Sequence, residues 1–173
     1  MEFYEALRTR RSVRSYRPDP VPQDALDRVL EAARISPSGS NRQPWRFILV
    51  TDPGLRGELA AACGDQEFVG EAPTVVVAYG HDIRYNRGGY MGEMSFILDA
   101  SIAFTHLVLA ARAEGLGTCW IGSFENGKVK ELLGIPDDHD VVAVSPLGYP
   151  EGEWFEETDR RKPLAEIISM NTF

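Results

Sequence analysis

Residues 74–79 read TVVVAY, a continuous run of mostly β-branched apolar side chains around which the rest of the sequence can be interpreted. Such a run is typical of a strand that is covered on both faces. Further along, residues 95–114 form the longest helical pattern, with apolar side chains distributed nearly all round the helix. A helix of this kind belongs in the middle of a fold or at a subunit interface. The sequence therefore predicts a core built around one strand and one helix.

Shorter patterns on both sides of this pair alternate between helix and strand. Residues 22–34 place Leu26 and Val29 on one face and charged side chains on the other, which predicts an amphipathic helix. Further strands are predicted at 47–50, 118–121 and 141–144, and further helices after Asp52-Pro53, at 128–133 and from 164 onward. Because the two types alternate, the fold class is α/β or α+β.

Length, composition and charge exclude several classes of protein. The 173 residues, 43% of them hydrophobic, predict a single domain over residues 1–173 that can bury a core. Lys and Arg number 18 and Asp and Glu number 26, so the net charge of −8 should repel nucleic acid and anionic membranes. We therefore expect neither nucleic acid nor membrane as a partner.

The sequence also carries no targeting pattern that we recognise. The first thirty residues are rich in charge and lack the apolar core of a signal peptide. The longest apolar stretch, residues 96–113, is interrupted by Asp99 and His106, which argues against a membrane span. We expect a cytoplasmic protein.

Common templates for catalysis and metal binding are missing from the sequence. There is no GxSxG nucleophile motif and no GxxxxGK[ST] phosphate loop. His81, His106 and His139 are widely separated and do not form a metal-ligand motif, so no metal site is predicted. Cys119 lies in a predicted strand, where a packed and inert thiol is expected. Residues 115–117, GLG, follow a helix instead of the strand that a dinucleotide-binding motif requires.

Four separated segments remain, and they make chemical sense only together. Residues 8–17 contain five arginines and no acid, which indicates either a solvated surface or a small anion site. Amide and hydroxyl groups are available in residues 37–45. A flat apolar surface with backbone N–H groups is available in residues 117–122, and a second group of positive charges lies at residues 160–162. A ligand with a phosphate at one end and a flat polar heterocycle at the other would use all four segments.

These segments carry a resemblance to the nitroreductase family of FMN-dependent oxidoreductases, over residues 4–168. The matching stretches are RRSVR at 10–14, SPSGSNRQPW at 36–45, AP at 72–73, GLGTCWIG at 115–122 and RKPL at 161–164. The resemblance implies an α+β fold with a mixed, mainly antiparallel sheet flanked by helices. It also implies an intertwined homodimer with FMN at the interface and the long helix 95–114 in that interface.

The resemblance further implies a role for each matching residue in binding FMN. Arg10, Ser12 and Arg161 would hold the flavin phosphate, with Arg11 and Arg160 assisting. Arg14 would lie toward the pyrimidine end of the ring, and Gln66 would pair with its polar edge. The residues expected to cover the ring and ribityl chain from the other subunit are Pro37, Ser38, Gly39 and Asn41. Those expected to present backbone to the ring are Ile121, Gly122 and Ser123.

The implied activity is a redox cycle that needs no dedicated catalytic side chain. NADH or NADPH would pass hydride to FMN, and a nitroaromatic, quinone or similar small molecule would then accept electrons at the same face. Because the flavin carries the redox chemistry, the protein has to bind, orient and tune it. A guanidinium such as Arg14 would favour the negative charge that reduction places on the ring. No residue is assigned as a catalytic acid or base.

Some positions depart from the family pattern or allow an ordinary structural role. Phe68 or a neighbour stands where many relatives have a lysine near the ring. Tyr85, Tyr90 and Met91 are candidates to line the substrate pocket, although ordinary packing explains them equally well. Trp120 is expected to be a core aromatic behind the strand, and direct stacking on the flavin ring is the alternative.

Three alternatives to this function remain open at the level of sequence. A flavin carrier or sensor without turnover would use the same pocket, with bulky residues blocking the ring. Another reductive activity on the same fold, such as reductive dehalogenation, would use the same cofactor. An arginine docking patch on an unrelated α/β domain would give a colourless protein that binds polyanions in a salt-sensitive way.

Overall fold

The computed structural model describes residues 1–81, 92, 94–158 and 160–172, and within them it contains six α-helices and four strands. The helices are α1 (Phe3–Thr9), α2 (Gln23–Arg34), α3 (Pro53–Ala62), α4 (Glu67–Glu71), α5 (Ser95–Ala113) and α6 (Asn126–Leu133). The strands are β1 (Trp45–Val50), β2 (Thr74–Gly80), β3 (Gly117–Thr118) and β4 (Asp140–Gly148). Short 3₁₀ turns lie at Gly39–Asn41 and Leu164–Glu166.

The sheet is antiparallel, with the strand order β1-β2-β4-β3, so β2 lies between two neighbours. Successive side chains of β2 point to opposite faces, as in any strand. Val75 and Val77 pack with α3, α4 and α6, whereas Val76 and Ala78 pack with α2 and α5. All four side chains are fully buried. The prediction that TVVVAY forms a strand covered on both faces is confirmed.

Helix α5 crosses one face of this sheet and is only half enclosed by the chain. Phe104 and Leu107 are fully buried, but Ile97, Leu98 and Ile102 remain 39–44% exposed. By length and composition α5 could cross a membrane. Half of its apolar stretch is buried inside the fold, however, and the central helix of a folded core has the same length and composition. Its exposed apolar stripe fits the predicted subunit interface, which stays a prediction.

The chain that follows α1 runs beside the short edge strand β3. Ser12 and Thr118 form a parallel bridge, and the Val13 N–H donates to the Thr118 carbonyl at 2.9 Å. This close approach depends on Gly117, because a Cβ atom there would lie 2.7 Å from Cγ2 of Val13. The parallel bridge joins an otherwise antiparallel sheet. The α+β class with a mixed, mainly antiparallel sheet is therefore confirmed.

Two predicted elements are shorter than expected. The strand predicted at 118–121 is only the two residues of β3, and Ile121 forms an isolated bridge with Val144 beyond it. The helical piece predicted from Leu164 is a single 3₁₀ turn. Tyr85, Tyr90 and Met91, the candidate pocket residues, lie outside the described part of the chain.

Candidate cofactor-binding site

Helix α1 ends at Thr9, and the extended backbone of Arg10 carries the chain directly toward β3. This turn brings Arg10 and Ser12 to the wall of a cavity of about 360 Å³, which Thr118 and Trp120 also line. The rest of the wall comes from α1 and from the apolar side of α5. One end of the cavity is therefore cationic and hydrogen-bonding, and the remainder is largely apolar.

The positive charge of Arg161 acts on Arg10 although the two residues are far apart in sequence. Burial lowers the pKa of Arg10, the positive charges of Arg161 and Arg11 lower it further, and Cys119 opposes the shift. Within the described residues neither Arg10 nor Arg161 forms an ion pair. A phosphate between them would remove the repulsion and accept bidentate hydrogen bonds from both guanidinium groups. The residues present therefore fit a phosphate.

Arg11 turns back onto α1 instead of pointing along the extended segment. Its Nη1 donates to the carbonyls of Arg8 at 2.9 Å and Arg10 at 2.8 Å, and so caps the end of the helix. Its Nη2 is buried and has no hydrogen-bond partner among the described residues. A buried donor without a partner is costly, so this atom is also suited to an anion.

Two other predicted residues of the site, Arg14 and Arg160, and the predicted inert thiol of Cys119 complete the description of these segments. Arg14 is exposed, and its Nη1 lies 3.4 Å from the Ser12 carbonyl. Arg160 is exposed, and its backbone N–H donates to Thr158 Oγ1. Cys119 is buried, as predicted, and burial raises the pKa of its thiol against the opposing effects of Arg14, Ser12 and Arg10. The thiol remains protonated at neutral pH.

Trp120 is not the core aromatic that the sequence suggested. Its side chain is 39% exposed, and its ring packs edge-on against Phe104 with the centroids 4.6 Å apart. The chain leaves the sheet at Thr118, so Trp120 turns toward α5 and the cavity wall. The Trp120 ring therefore adds an aromatic surface to the cavity that Arg10 and Ser12 line.

The loop around the 3₁₀ turn Gly39–Asn41 has an unusual backbone. Ser40, Asn41 and Gln43 all have positive φ, at 51°, 54° and 50°. Three non-glycine residues in this region are uncommon, and such backbone strain clusters at functional sites. Ser38 Oγ accepts a hydrogen bond from the Gln43 N–H, which helps to hold the loop. Pro37, Gly39 and Asn41 are exposed on it.

This loop and the arginine cavity meet different parts of α5. The Gly39 N–H donates to Asp99 Oδ1 at 3.1 Å, whereas the cavity touches Thr105 and Leu109. Along the helix, Thr105 lies about 9 Å from Asp99 and Leu109 about 15 Å. The loop and the arginine cavity therefore lie at different positions along α5. This separation agrees with the expectation that the loop serves the other subunit.

The remaining predicted ring contacts are not at the arginine cavity either. Gln66 precedes α4, and its side-chain amide donates to the Cys63 carbonyl at 2.6 Å. The Ile121 N–H donates to Val144, and Gly122, with Ser123 beyond it, is exposed. Gly122 lines a separate cavity of about 520 Å³. Phe68, at the position of the relatives' lysine, packs partly buried against the core.

Sequence reasoning missed two buried charged residues near these segments. Asp99 was treated only as a break in an apolar stretch, yet it anchors Gly39. Arg112, in α5, carries no predicted role, yet it is buried between Thr9 of α1 and Phe155. A single charge inside an otherwise apolar helix is the signal that could have found both residues.

The fold and the cavity together define an α+β protein with a cationic site assembled from distant parts of its chain. The model of the Nitroreductase family matches residues 7–82 and 58–149 of this sequence. The chain therefore belongs to the nitroreductase family and is an oxidoreductase of that family.

Individual relatives agree with this assignment. An NADH dehydrogenase of Thermus thermophilus is 33% identical and covers 92% of this chain and 91% of its own length. Iodotyrosine deiodinase 1 of Pongo abelii is 28% identical and covers 98% of this chain and 68% of its own length. The solved structure of NADPH:FMN oxidoreductase from Vibrio harveyi, complexed with NAD⁺, is 25% identical with a TM-score of 0.88. That match covers 99% of this chain and 77% of the other.

Proposed function

We propose that the protein is an FMN-dependent oxidoreductase that takes hydride from NADH or NADPH and reduces a nitroaromatic, quinone or similar small acceptor. The observation that carries the proposal is the cavity lined by the partly buried Arg10 and by Ser12, where the positive charge of Arg161 also acts on Arg10. Membership of the nitroreductase family supports the reaction class, and the name of the Vibrio harveyi relative supports the cofactor and the donor.

The phosphate end of FMN would be held by residues from both ends of the sequence. Arg10 and Arg161 would bind the phosphate bidentately, and the Ser12 hydroxyl would donate a third hydrogen bond. The buried Nη2 of Arg11 would gain the partner that it lacks among the described residues. FMN, when bound, supplies the hydride and electron chemistry, and the protein supplies orientation and charge.

The site is complete only with a second copy of the chain. The exposed stripe of Ile97, Leu98 and Ile102 on α5 gives two copies an apolar surface to share. Because the 37–41 loop meets the far part of α5, the partner's loop would close over the ring. Arg14, exposed beside Ser12, would favour negative charge at the pyrimidine end.

Reductive dehalogenation is the second candidate, and the deiodinase relative is the observation that favours it. Both functions use the same cofactor site, so they differ only in the acceptor. Turnover assays that offer a nitroaromatic, a quinone and a halogenated phenol under identical conditions would distinguish them. Release of halide at a rate that exceeds quinone reduction would favour dehalogenation.

The experiment that tests the proposal is anaerobic mixing of the purified yellow protein with NADH and, separately, NADPH. We expect the visible flavin absorption to bleach with at least one donor and to return when a quinone is added. A flavoprotein that bleaches with neither donor would be a carrier or sensor instead. A colourless protein that takes up no FMN would overturn the cofactor assignment itself.

A further inference from the structure

Arg112 is a buried guanidinium near the end of α5 that the proposed function does not use. Its side chain is only 7% exposed, and burial lowers its pKa against the opposing charge of Glu5. Arginine is seldom buried to this degree unless its surroundings compensate for the loss of water. The contacts of this side chain therefore indicate what it does.

On one side Arg112 holds the end of α1. Its Nε donates to Thr9 Oγ1 at 2.9 Å, and the same hydroxyl donates to the Glu5 carbonyl at 2.7 Å. Thr9 is the last residue of α1 and directly precedes Arg10. The direction in which the chain leaves α1, and with it the position of Arg10, is fixed partly by this hydrogen bond.

On the other side Arg112 contacts the return segment, by which we mean residues 149–158 and 160–161. The guanidinium carbon of Arg112 lies 3.9 Å from the centre of the Phe155 ring. A cation over an aromatic face contributes more when the groups are shielded from water, and here Arg112 is buried and Phe155 partly buried. Six residues after Phe155, the return segment reaches Arg161.

Trp154 and Phe155 also pack against Val13, Tyr16 and Ala72, but the other described anchors leave the part of the return segment after Phe155 less constrained. Its beginning pairs with residues 15–17 through backbone hydrogen bonds. Glu157 forms an ion pair with Arg8, but both side chains are more than half exposed, and such pairs contribute little. Arg10 and Arg161 also repel each other, so a firm anchor near both is needed to keep them together.

We propose that Arg112 is a positioning residue for the phosphate site, because it ties Thr9 to Phe155 and so sets the separation of Arg10 and Arg161. It does not itself contact the phosphate. This inference rests on the proposed function, since it concerns the same cations. It predicts that loss of Arg112 weakens recognition of the phosphate and leaves recognition of the flavin ring unchanged.

The test compares binding of FMN and of riboflavin, which lacks the phosphate, to the full-length flavin-free protein. Flavin fluorescence titrations give both affinities for the wild type and for Arg112→Met. We expect Arg112→Met to lower FMN affinity about tenfold and to change riboflavin affinity less than about twofold. A merely structural role would lower both affinities together.

Matched variants separate positioning from loss of folding. Phe155→Leu removes the ring from the other side of the contact and should lower the FMN-to-riboflavin ratio in the same direction. Arg112→Lys keeps a cation over Phe155 and should restore part of the ratio. Arg28→Met is the control, because Arg28 also contacts the end of α5, through Glu114, but comes from α2. It should leave the ratio unchanged.

The outcomes distinguish this inference from the proposed function. If Arg10→Ala lowers the FMN-to-riboflavin ratio but Arg112→Met and Phe155→Leu do not, the phosphate site stands and the role of Arg112 is wrong. If Arg112→Met weakens both flavins equally, Arg112 is only structural. If the wild type binds FMN no better than riboflavin, the phosphate site and this inference both fail.

Discussion

At the scale of single residues, Arg10 shows how the fold creates a demand for an anion. Its guanidinium is partly buried and lies near the like charges of Arg161 and Arg11, and these surroundings lower its pKa. Each of them makes the charged form less favourable, and a bound phosphate would reverse the effect. The site is therefore strained electrostatically in a way that a dianionic ligand would relieve.

Replacing either cation should weaken FMN binding. We expect Arg10→Ala and Arg161→Ala each to lower FMN affinity about ten- to a hundredfold, since a charge-assisted hydrogen bond contributes roughly 1.5–3 kcal/mol. Fluorescence titration measures the affinity. Arg34→Ala, which removes an exposed arginine paired with Glu31 on its own helix, is the control and should bind FMN normally. Full flavin retention by both site variants would contradict the phosphate assignment.

The buried thiol of Cys63 should make stability depend on alkaline pH. Its side chain is 1% exposed, and burial raises the pKa of the thiol from 9.0 to about 11. The unfolded chain therefore loses this proton first, and the stability that the folded thiol contributes is present below pH 9 and is lost as the pH rises to about 11.

Urea unfolding of the wild type and of Cys63→Ala across this range checks the prediction. Between pH 8.5 and pH 11 we expect the free energy of unfolding to fall by about 2 kcal/mol more in the wild type than in the variant. This difference follows from the rise of roughly two units in the pKa of the thiol on folding. Because other groups titrate equally in both proteins, only the difference matters. Parallel pH profiles would show that Cys63 ionises as easily in the folded protein as in the unfolded chain.

At the scale of elements, the contact between β3 and the segment after α1 holds Ser12 at the cavity. The contact is possible only because position 117 has no side chain: the nearest atoms to a Cβ there would be those of Val13, at 2.7–3.0 Å. Val13 cannot move aside, because its side chain is fully buried and its N–H donates to the Thr118 carbonyl. A short edge strand thereby determines where Ser12 lies in the cavity wall.

Gly117→Ala should consequently destabilise the protein and disturb the cavity. Overpacking at a fixed contact costs about 1–3 kcal/mol, which urea unfolding measures directly. FMN affinity should fall as well, because Ser12 moves with Val13. Gly127→Ala is the matched control, because nothing lies within 4 Å of the added methyl group in α6 and stability should stay the same or rise slightly. Equal stability of the two variants would contradict this explanation.

Local sequence patterns predicted the elements whose stabilising contacts are close in sequence. Asp52 does accept a hydrogen bond from the Leu55 N–H at the start of α3, and Gly134 does end α6 in the left-handed region. The sequence does not predict helix α1. Its large apolar side chains, Phe3, Tyr4 and Leu7, do not pack on the core of the chain, so their spacing does not mark a buried face. Local patterns cannot report a face that another part of the protein, or another copy, would cover.

At the scale of the whole molecule, the candidate site is divided between distant segments. The family resemblance predicts which residues form the site. Sequence spacing alone does not show that the charge of Arg161 acts on Arg10. The same limit applies to Arg112, whose role depends on Phe155, and to Trp120, whose exposure follows from the early end of β3. Tertiary contacts between residues far apart in sequence decide all three cases.

A charge in the exposed stripe of α5 should separate the two copies. We expect Ile102→Glu to shift the protein from dimer to monomer in sedimentation experiments, because Ile102 is exposed within an apolar face and a carboxylate there would have to be buried without a partner. FMN affinity should fall in parallel, since a monomer lacks the partner's 37–41 loop.

The matched control for this variant is Lys128→Gln. It changes the net charge by the same amount but lies on α6, which packs on the opposite face of the sheet from α5. It should leave both the association state and FMN affinity unchanged. A monomeric Ile102→Glu protein that keeps full FMN affinity would show that each copy binds the cofactor alone.

The return segment also has a consequence for biosynthesis. Arg161 is added to the growing chain 151 residues after Arg10, so the chain holds only half of the cation pair until synthesis passes Arg161. Flavin loading should therefore come after translation has passed that point. A cut by a protease between Phe155 and Arg161 would likewise release the cofactor without disrupting the sheet.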